Sequence, residues 1–466
     1  MKIKIMIMAL LLLAGIGSAV NYLPASTMEP GANITFDGGN LINAIHDWPV
    51  ASSSVVYRLG TSVCAKSSNG TSIYTGEDDA AGIQAAFNHS DHTKITIIGD
   101  YDVDVGLVVA DNTAVELYGS ITKTNGDAFS LITMGNDTEW HGGELTGYST
   151  LYSIYAESKS NILIEDVTCH NNSLHGIYIS NCTAVTISEC VSHTNTKANV
   201  CIYNSTRVKV SGGKYYDNID DYGIYFEDVT YSSIVGTVCY NNGRDGIQLK
   251  GACTDIIIAG NEIYDHPVDG IGCHARYANV PQMSERLLVS NNNINNCSAN
   301  GIETVDASNS SITGNTISNC GVGLKFGPWG NSQNAVTNLH YTGNTIINCG
   351  AGVGVTASTS LMSNIFFDDT KFINISTSKP IFTFPLGVPA TYIYITNCYL
   401  GGGSYGIYIS GDSYIYIKGN TITGSANDAI YTTNSDYIYT LYNNVYGNIT
   451  SNGAHSVTQD NVGVDI

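Results

Sequence analysis

The sequence predicts an all-β fold: a single-stranded, right-handed parallel β-helix of about twelve or more coils, with a short N-terminal capping helix. Three observations predict it. Self-similarity at a short period runs through the chain beyond about residue 150. Charged residues are only 13% of the 466, about half the usual share, while Gly (49) and Tyr (31) are abundant. That composition is rich in turn and strand formers and poor in helix formers. Beyond the cap, no stretch carries an amphipathic pattern of helix length.

The elements follow in order along the chain. Residues 1–19 read as a secretory signal: Lys2 and Lys4 start it, Ile5 to Leu13 is apolar, and Gly17-Ser18-Ala19 offers a small-residue cleavage site. The run is too short for a confident membrane span, and no later stretch approaches that length. Residues 20–74 are a lead-in with cap strands, and 75–149 hold the capping helix and first coils. Residues 150–447 are the repeats, and 448–466 a fading last coil and tail.

The repeat is plain in LHGIYIS from Leu174, DYGIYFE from Asp221, RDGIQLK from Arg244, VDGIGCH from Val268 and ANGIETV from Ala299. The residue before the Gly, or its equivalent, falls at 152, 175, 198, 222, 245, 269, 300, 322, 351, 379, 405 and 428. Most steps are 22–24 residues, and the longest are 31 and 29. A second motif lies between: Gly260-Asn261-x-Ile263, Gly314-Asn315-x-Ile317, Gly343-Asn344-x-Ile346 and Gly419-Asn420-x-Ile422. Asn tolerates the left-handed bend expected there, and Asn side chains stacked at one corner can bond to one another. Propeller blades need about 40 residues per repeat, and the Leu framework of leucine-rich repeats is absent. One coil of a parallel β-helix fits. At about 4.8 Å per coil, twelve coils predict a rod of roughly 55–60 Å.

Residues Thr75 to Ala86, with Asp78-Asp79 ahead of Ile83-Gln84-Ala85-Ala86, complete the pattern. Together with the repeat, they resemble the pectate-lyase-like superfamily over nearly all of the mature chain. The resemblance implies a capped right-handed β-helix. It is shared by polygalacturonases and by many phage and surface proteins, so it does not fix an activity.

Net charge is −21 and pI about 4.6, which argues against nucleic acid or anionic membrane as partners. Twelve cysteines in an exported chain raise the possibility of disulfides. Cys297, Cys320 and Cys349, however, each follow an Asn at one point of the repeat, a pattern of stacked, buried thiols.

In each x-G-I-x-I-x strand the Ile positions point inward. The outward positions then form a grid. Its central rows are Tyr222, Tyr225, Glu227; Asp245, Gln248, Lys250; Asp269, Gly272, His274; and Asn300, Glu303, Val305, followed by Lys325. Sparse charge thus gathers on adjacent coils of one exposed face. Asp245 and Asp269 are expected one strand spacing apart, so that one pKa rises or a calcium ion sits between them. His274, Lys250 and Arg276 stand beside them as proton carriers or as partners of a uronate. Tyr222, Glu227, Arg244, Gln248, Glu303, Lys325 and Trp329 are candidate groove residues. The long coils insert 276–285 and 327–332 as a wall above the charged face. The outward tyrosines read mainly as a stabilising stack.

The tripeptides of polygalacturonases are absent. The mannuronan epimerase strand Tyr-Gly-Phe-Asp-Pro-His, followed by Arg-His-Gly, is half matched. Tyr222 and Arg244 stand in place, while Tyr225, Glu227 and Asp245 replace Asp, His and His. The expectation is a secreted or cell-surface protein that acts on a polysaccharide, acidic or neutral, as hydrolase or lyase. No cofactor is needed unless elimination requires calcium. The alternative is a non-catalytic glycan-binding or adhesion rod, with a spike as one variant.

Overall fold

The computed structural model describes residues 53–463, apart from 90–93, 126–127, 149, 276–282, 329–333, 357–360, 385–389, 412 and 453–456. The signal segment, Arg276 and Trp329 lie outside the described residues.

The chain winds as a right-handed parallel solenoid. One face is a sheet of fifteen strands, from Leu107–Val108 through Ile247–Lys250 to Ile449–Asn452. Each strand pairs in parallel with its equivalent one coil away. Ile224 lies against Ile247, Ile247 against Ile271, Ile271 against Ile302, and Ile302 against Leu324. The apolar residue after each Gly therefore forms a continuous inward column, and all of these side chains are buried. Fifteen strands make fourteen steps of about 4.8 Å, a rod of roughly 67 Å. The rod exceeds the expected length because stacked coils extend past the motif-bearing 150–447 at both ends.

The N-terminal cap is built as its sequence implies. Ser53–Leu59, Ser62–Lys66 and Ser72–Gly76 form an antiparallel unit. Helix Asp79–Asn88 follows, and Asp78 caps it by accepting from Ala81 N at 2.9 Å. Its buried Ile83 and Phe87 close the end of the core. Phe87 meets the fully buried Trp140 edge-on, at 6.4 Å between centroids.

The Gly-Asn corner divides its labour differently from the expectation. Gly260, Gly314, Gly343 and Gly419 take the left-handed bend, with φ of 64–68°. The following Asn is freed to form a buried ladder. Asn261 Nδ2 donates to Asn292 Oδ1 (2.8 Å), Asn292 to Asn315 (2.9 Å) and Asn315 to Asn344 (2.9 Å). Each Oδ1 also accepts the backbone N–H of the Asn below, and each Nδ2 also reaches a backbone carbonyl. Every polar atom of these side chains is satisfied, as burial demands.

All twelve cysteines are free and buried. Outside, aromatic rings stack along the rod axis. His170, His193, Tyr216, Tyr240 and Tyr264 lie 4.6–5.1 Å apart and nearly parallel. A second column runs from His340 through Phe366, Tyr394 and Tyr416 to Tyr439. Their faces cover one another, so these rings stabilise the coils and offer only their edges to a ligand.

Candidate active site on the strand face

Strand register assembles the site from three columns. The first is Tyr222, Asp245, Asp269 and Asn300, aligned by bonds from Gly223 N to Asp245 O, Gly246 N to Asp269 O and Gly270 N to Asn300 O. The second is Tyr225, Gln248, Gly272, Glu303 and Lys325. The third is Glu227, Lys250 and His274.

Asp245 and Asp269 are vertical neighbours, as expected, but the structure corrects the picture of an exposed sheet. Asp245, Asp269 and Glu303 are only 1–2% exposed. Side chains one coil apart cover each other, and each Asp folds back on the backbone. Asp245 Oδ1 accepts Asp269 N at 3.0 Å. Asp269 Oδ1 accepts Asn300 N at 3.0 Å and Asn300 Nδ2 at 2.8 Å. One oxygen of each is thus committed to the scaffold, leaving Oδ2 for chemistry.

The chemical centre lies one coil higher than the Asp pair alone. His274 Nε2 is 3.0 Å from Glu303 Oε2 and 3.9 Å from Asp269 Oδ2. Lys325 Nζ is 2.6 Å from Glu303 Oε1. Asp269 also hydrogen-bonds Glu303. Burial, and then the neighbouring Asp269 charge, pushes the Asp245 carboxyl up to about 7. Burial and the Glu303 charge raise Asp269 as well, although His274 opposes them. Burial would raise Glu303 too, but hydrogen bonds from His274, Asp269 and Lys325 outweigh it and hold this group low. Burial pulls His274 down, but its bonds to Asp269 and Glu303 prevail and lift it to about 9. The cluster therefore holds Glu303 low between two cations, beside two aspartates whose carboxyls burial raises.

The remaining candidates divide. Tyr222 is buried beneath the Arg244 guanidinium, 5.3 Å from its ring centroid. Gln248 is buried and turned onto Leu249 O. Glu227 accepts from the Tyr225 hydroxyl, and Lys250 lies between Glu227 and His274 in the third column. Asn300, the side chain that anchors Asp269, is absent from the sequence-derived site list. Its position before the Gly was the available signal. A shallow cleft of about 610 Å³ opens elsewhere, at the corner around Asn242, His266 and Pro267. It holds none of the face's carboxylates.

Calcium between Asp245 and Asp269 fits this geometry poorly. Calcium takes six to eight oxygen ligands, and each Asp has one oxygen engaged by backbone. The donor atoms that converge are those of Asp269, His274 and Glu303, all within 4.8 Å of one another. An imidazole in that set suits a transition metal better than calcium, and Lys325 already occupies Glu303.

Fold and register define the class: this is a right-handed parallel β-helix protein. Within that class, residues 130–282 match the family described as right handed beta helix region. Residues 280–404 match the family described as periplasmic copper-binding protein (NosD). A double mutant of the tailspike protein of E. coli bacteriophage HK620 is similar, with TM-score 0.57 and 12% identity over 78% of this chain and 76% of that one. A mannuronan C-5 epimerase A-module of Azotobacter vinelandii gives 0.49 at 15% identity, over 84% and 96%. The Dettilon tailspike protein gives 0.45 at 16% identity, over 75% of this chain and 64% of that one. This chain thus spans just under two thirds of the Dettilon tailspike. At such identities the likeness is one of fold. No curated protein matches the sequence.

Proposed function

We propose that the protein acts outside the cytoplasm on a polysaccharide lying across the strand face, and hydrolyses its glycosidic bonds. One observation carries this reading. In a chain poor in charge, carboxyl groups on adjacent coils are nearly buried, and their surroundings push Asp269 up and Glu303 down. That split is how two carboxyls become acid and base. Asp269 would give its proton to the leaving glycosidic oxygen. Ionised Glu303 would stabilise or attack the anomeric carbon. Burial and the Glu303 charge raise the Asp269 carboxyl toward the range of a general acid. The ligand oxygens of Asp269 and Glu303 lie within 4.8 Å of each other, nearer the ~5–5.5 Å of retaining enzymes than the ~6.5–9.5 Å of inverting ones. Hydrolysis is favoured over elimination because the two cations nearest the carboxyls, His274 and Lys325, already pair with Glu303.

A second reading, glycan binding without cleavage, is favoured by the low exposure of the same carboxyls. The test is a panel of acidic and neutral polysaccharides, with and without calcium. Reducing ends and the ultraviolet absorbance of an unsaturated product are both followed. Reducing ends alone, abolished in Asp269→Asn and Glu303→Gln, support hydrolysis. Both signals together make the protein a lyase. Binding without either signal supports the non-catalytic reading.

A further inference from the structure

The corner cleft of about 610 Å³ takes no part in the carboxyl chemistry of the strand face, yet its size is that of a small-molecule site. Its rim comes from one exposed position on four successive coils: Asp217, Asn241, Asp265 and Asn296. Strand register aligns them, because Tyr216, Tyr240, Tyr264 and Asn295, one residue earlier, are paired in turn. The four alternate acid and amide. Asn241 Nδ2 donates to Asp217 Oδ1 at 2.7 Å, and Asn296 Nδ2 to Asp265 Oδ1 at 2.6 Å. Each bond uses one oxygen of the acid and one N–H of the amide, so both kinds of side chain keep hydrogen-bonding capacity toward a ligand.

The inner wall is different. Ile219, Gly243 and Pro267 each follow a corner residue, Asn218, Asn242 and His266. Ile219 is 63% exposed, a large apolar side chain beside two acids. Gly243 keeps the middle bare, since a Cβ there would lie 2.4 Å from Ile219 O. Beneath them the amides are locked. Asn218 Nδ2 donates to Asn242 Oδ1 at 2.8 Å, and Asn242 Nδ2 to Tyr215 O at 3.0 Å. A cleft held in this way loses little freedom when a ligand enters.

We propose that the cleft binds an uncharged sugar unit, borne as a side branch by the polysaccharide that crosses the strand face. A pyranose has apolar C–H faces and a rim of hydroxyls that both donate and accept. Ile219 and Pro267 suit the faces, and the acid–amide pairs suit the rim. Asp217 and Asp265 repel uronates, sulfates and phosphates. Arg244, the cation next in sequence to Gly243, lies over the Tyr222 ring and does not line the cleft. Position supports a branch. Gly243 and Pro267 stand two residues before Asp245 and Asp269, at most about 7 Å along the backbone. A main chain lying over those carboxyls therefore brings a one-sugar branch within reach of the cleft. The branch assignment rests on the polysaccharide reading above, whereas the sugar site itself does not.

Saturation-transfer NMR on the whole protein tests the site. The probes are methyl glycosides of neutral hexoses, deoxyhexoses and N-acetylhexosamines, with methyl uronides beside them. A neutral glycoside should bind with a dissociation constant of about 1 mM, the affinity that a ligand of this size reaches, and the uronides should not bind. Ile219→Ser combined with Asp265→Ala should weaken binding about ten-fold or more. Both side chains are exposed, so the variant keeps the fold. If circular dichroism shows otherwise, Ile219→Ser alone decides. In hydrolysis assays the variant's loss of kcat/KM should be about ten-fold greater on a branched neutral polysaccharide than on the same polymer stripped of its branches. No bound neutral glycoside, or equal binding by the folded variant or by uronides, overturns the site. Equal losses on the two polymers overturn the branch assignment. Glycoside binding without cleavage of any polysaccharide overturns the hydrolytic reading and leaves the sugar site standing.

Discussion

Asp245→Asn tests the electrostatics of the face most directly. Burial and Asp269 lift the Asp245 carboxyl from its ordinary 3.8 to about 7. The folded state therefore holds this proton more tightly than the unfolded chain does. The sign follows from linkage. The Asp245 contribution is most favourable below its unfolded pKa. It is lost as pH rises from about 4 to 7, and above about 7 the full penalty of a buried charge remains. Three pKa units correspond to about 4 kcal/mol. Asparagine has the same shape, still offers Oδ1 to Asp269 N, and does not titrate. Between about pH 4 and 8 the parent should thus lose about 4 kcal/mol relative to Asp245→Asn. A long stack of coils need not unfold in one step, so the assay is hydrogen exchange at the Asp269 amide, which donates to Asp245. Urea midpoints across the same pH range provide the global comparison. A difference between the two proteins that stays constant with pH, within about 0.5 kcal/mol, would refute the reasoning.

Three further outcomes are expected. Glu303→Gln removes the main counter-charge of His274, whose pKa should fall from about 9 by more than one unit in an NMR titration, while Lys325 loses its partner. Asn315→Ala strands the Asn292 and Asn344 side chains and Val289 O. It should cost about 2–4 kcal/mol, read as a lower denaturant midpoint, because buried polar groups then lack partners. Gly272→Ala places a Cβ 2.8 Å from Gln248 Oε1 and 3.1 Å from Asp245 Oδ2. It should leave the circular dichroism unchanged yet perturb the Asp245 titration.

Much of this molecule was legible because a coil is short and contacts mainly its neighbours. Reading the residue before each Gly placed Asp245 over Tyr222 and Asp269 over Asp245, and the register confirms that stacking. The outward row at Gly272 and Glu303 was equally readable. What the repeat could not reveal is depth. Whether Asp269 lies open or covered depends on rotamers that turn Oδ1 onto Asn300, and no periodicity encodes that. The convergence of His274 and Lys325 on Glu303 was hidden for the same reason, since it joins three coils diagonally. The Gly-Asn corner shows a subtler limit. Both residue types tolerate a left-handed bend, and only the structure reveals that Gly takes it, leaving Asn for the ladder.

The asparagine ladder also gives the rod a direction. From Asn261 through Asn292 to Asn315, each Nδ2 donates up to the Oδ1 of the next Asn, and the run ends at Asn344. The same sense recurs from Asn420 through Asn443 to Asn461. Amide dipoles of about 3.5 D aligned head to tail add along an axis, as they do in an α-helix. Within each of these buried ladders the positive end lies toward the C-terminal coils. Outside, rungs such as Asn319 to Asn295, Asn338 to Asn309 and Asn364 to Asn338 donate in the opposite sense, so the surface amides offset the direction that the buried ones set.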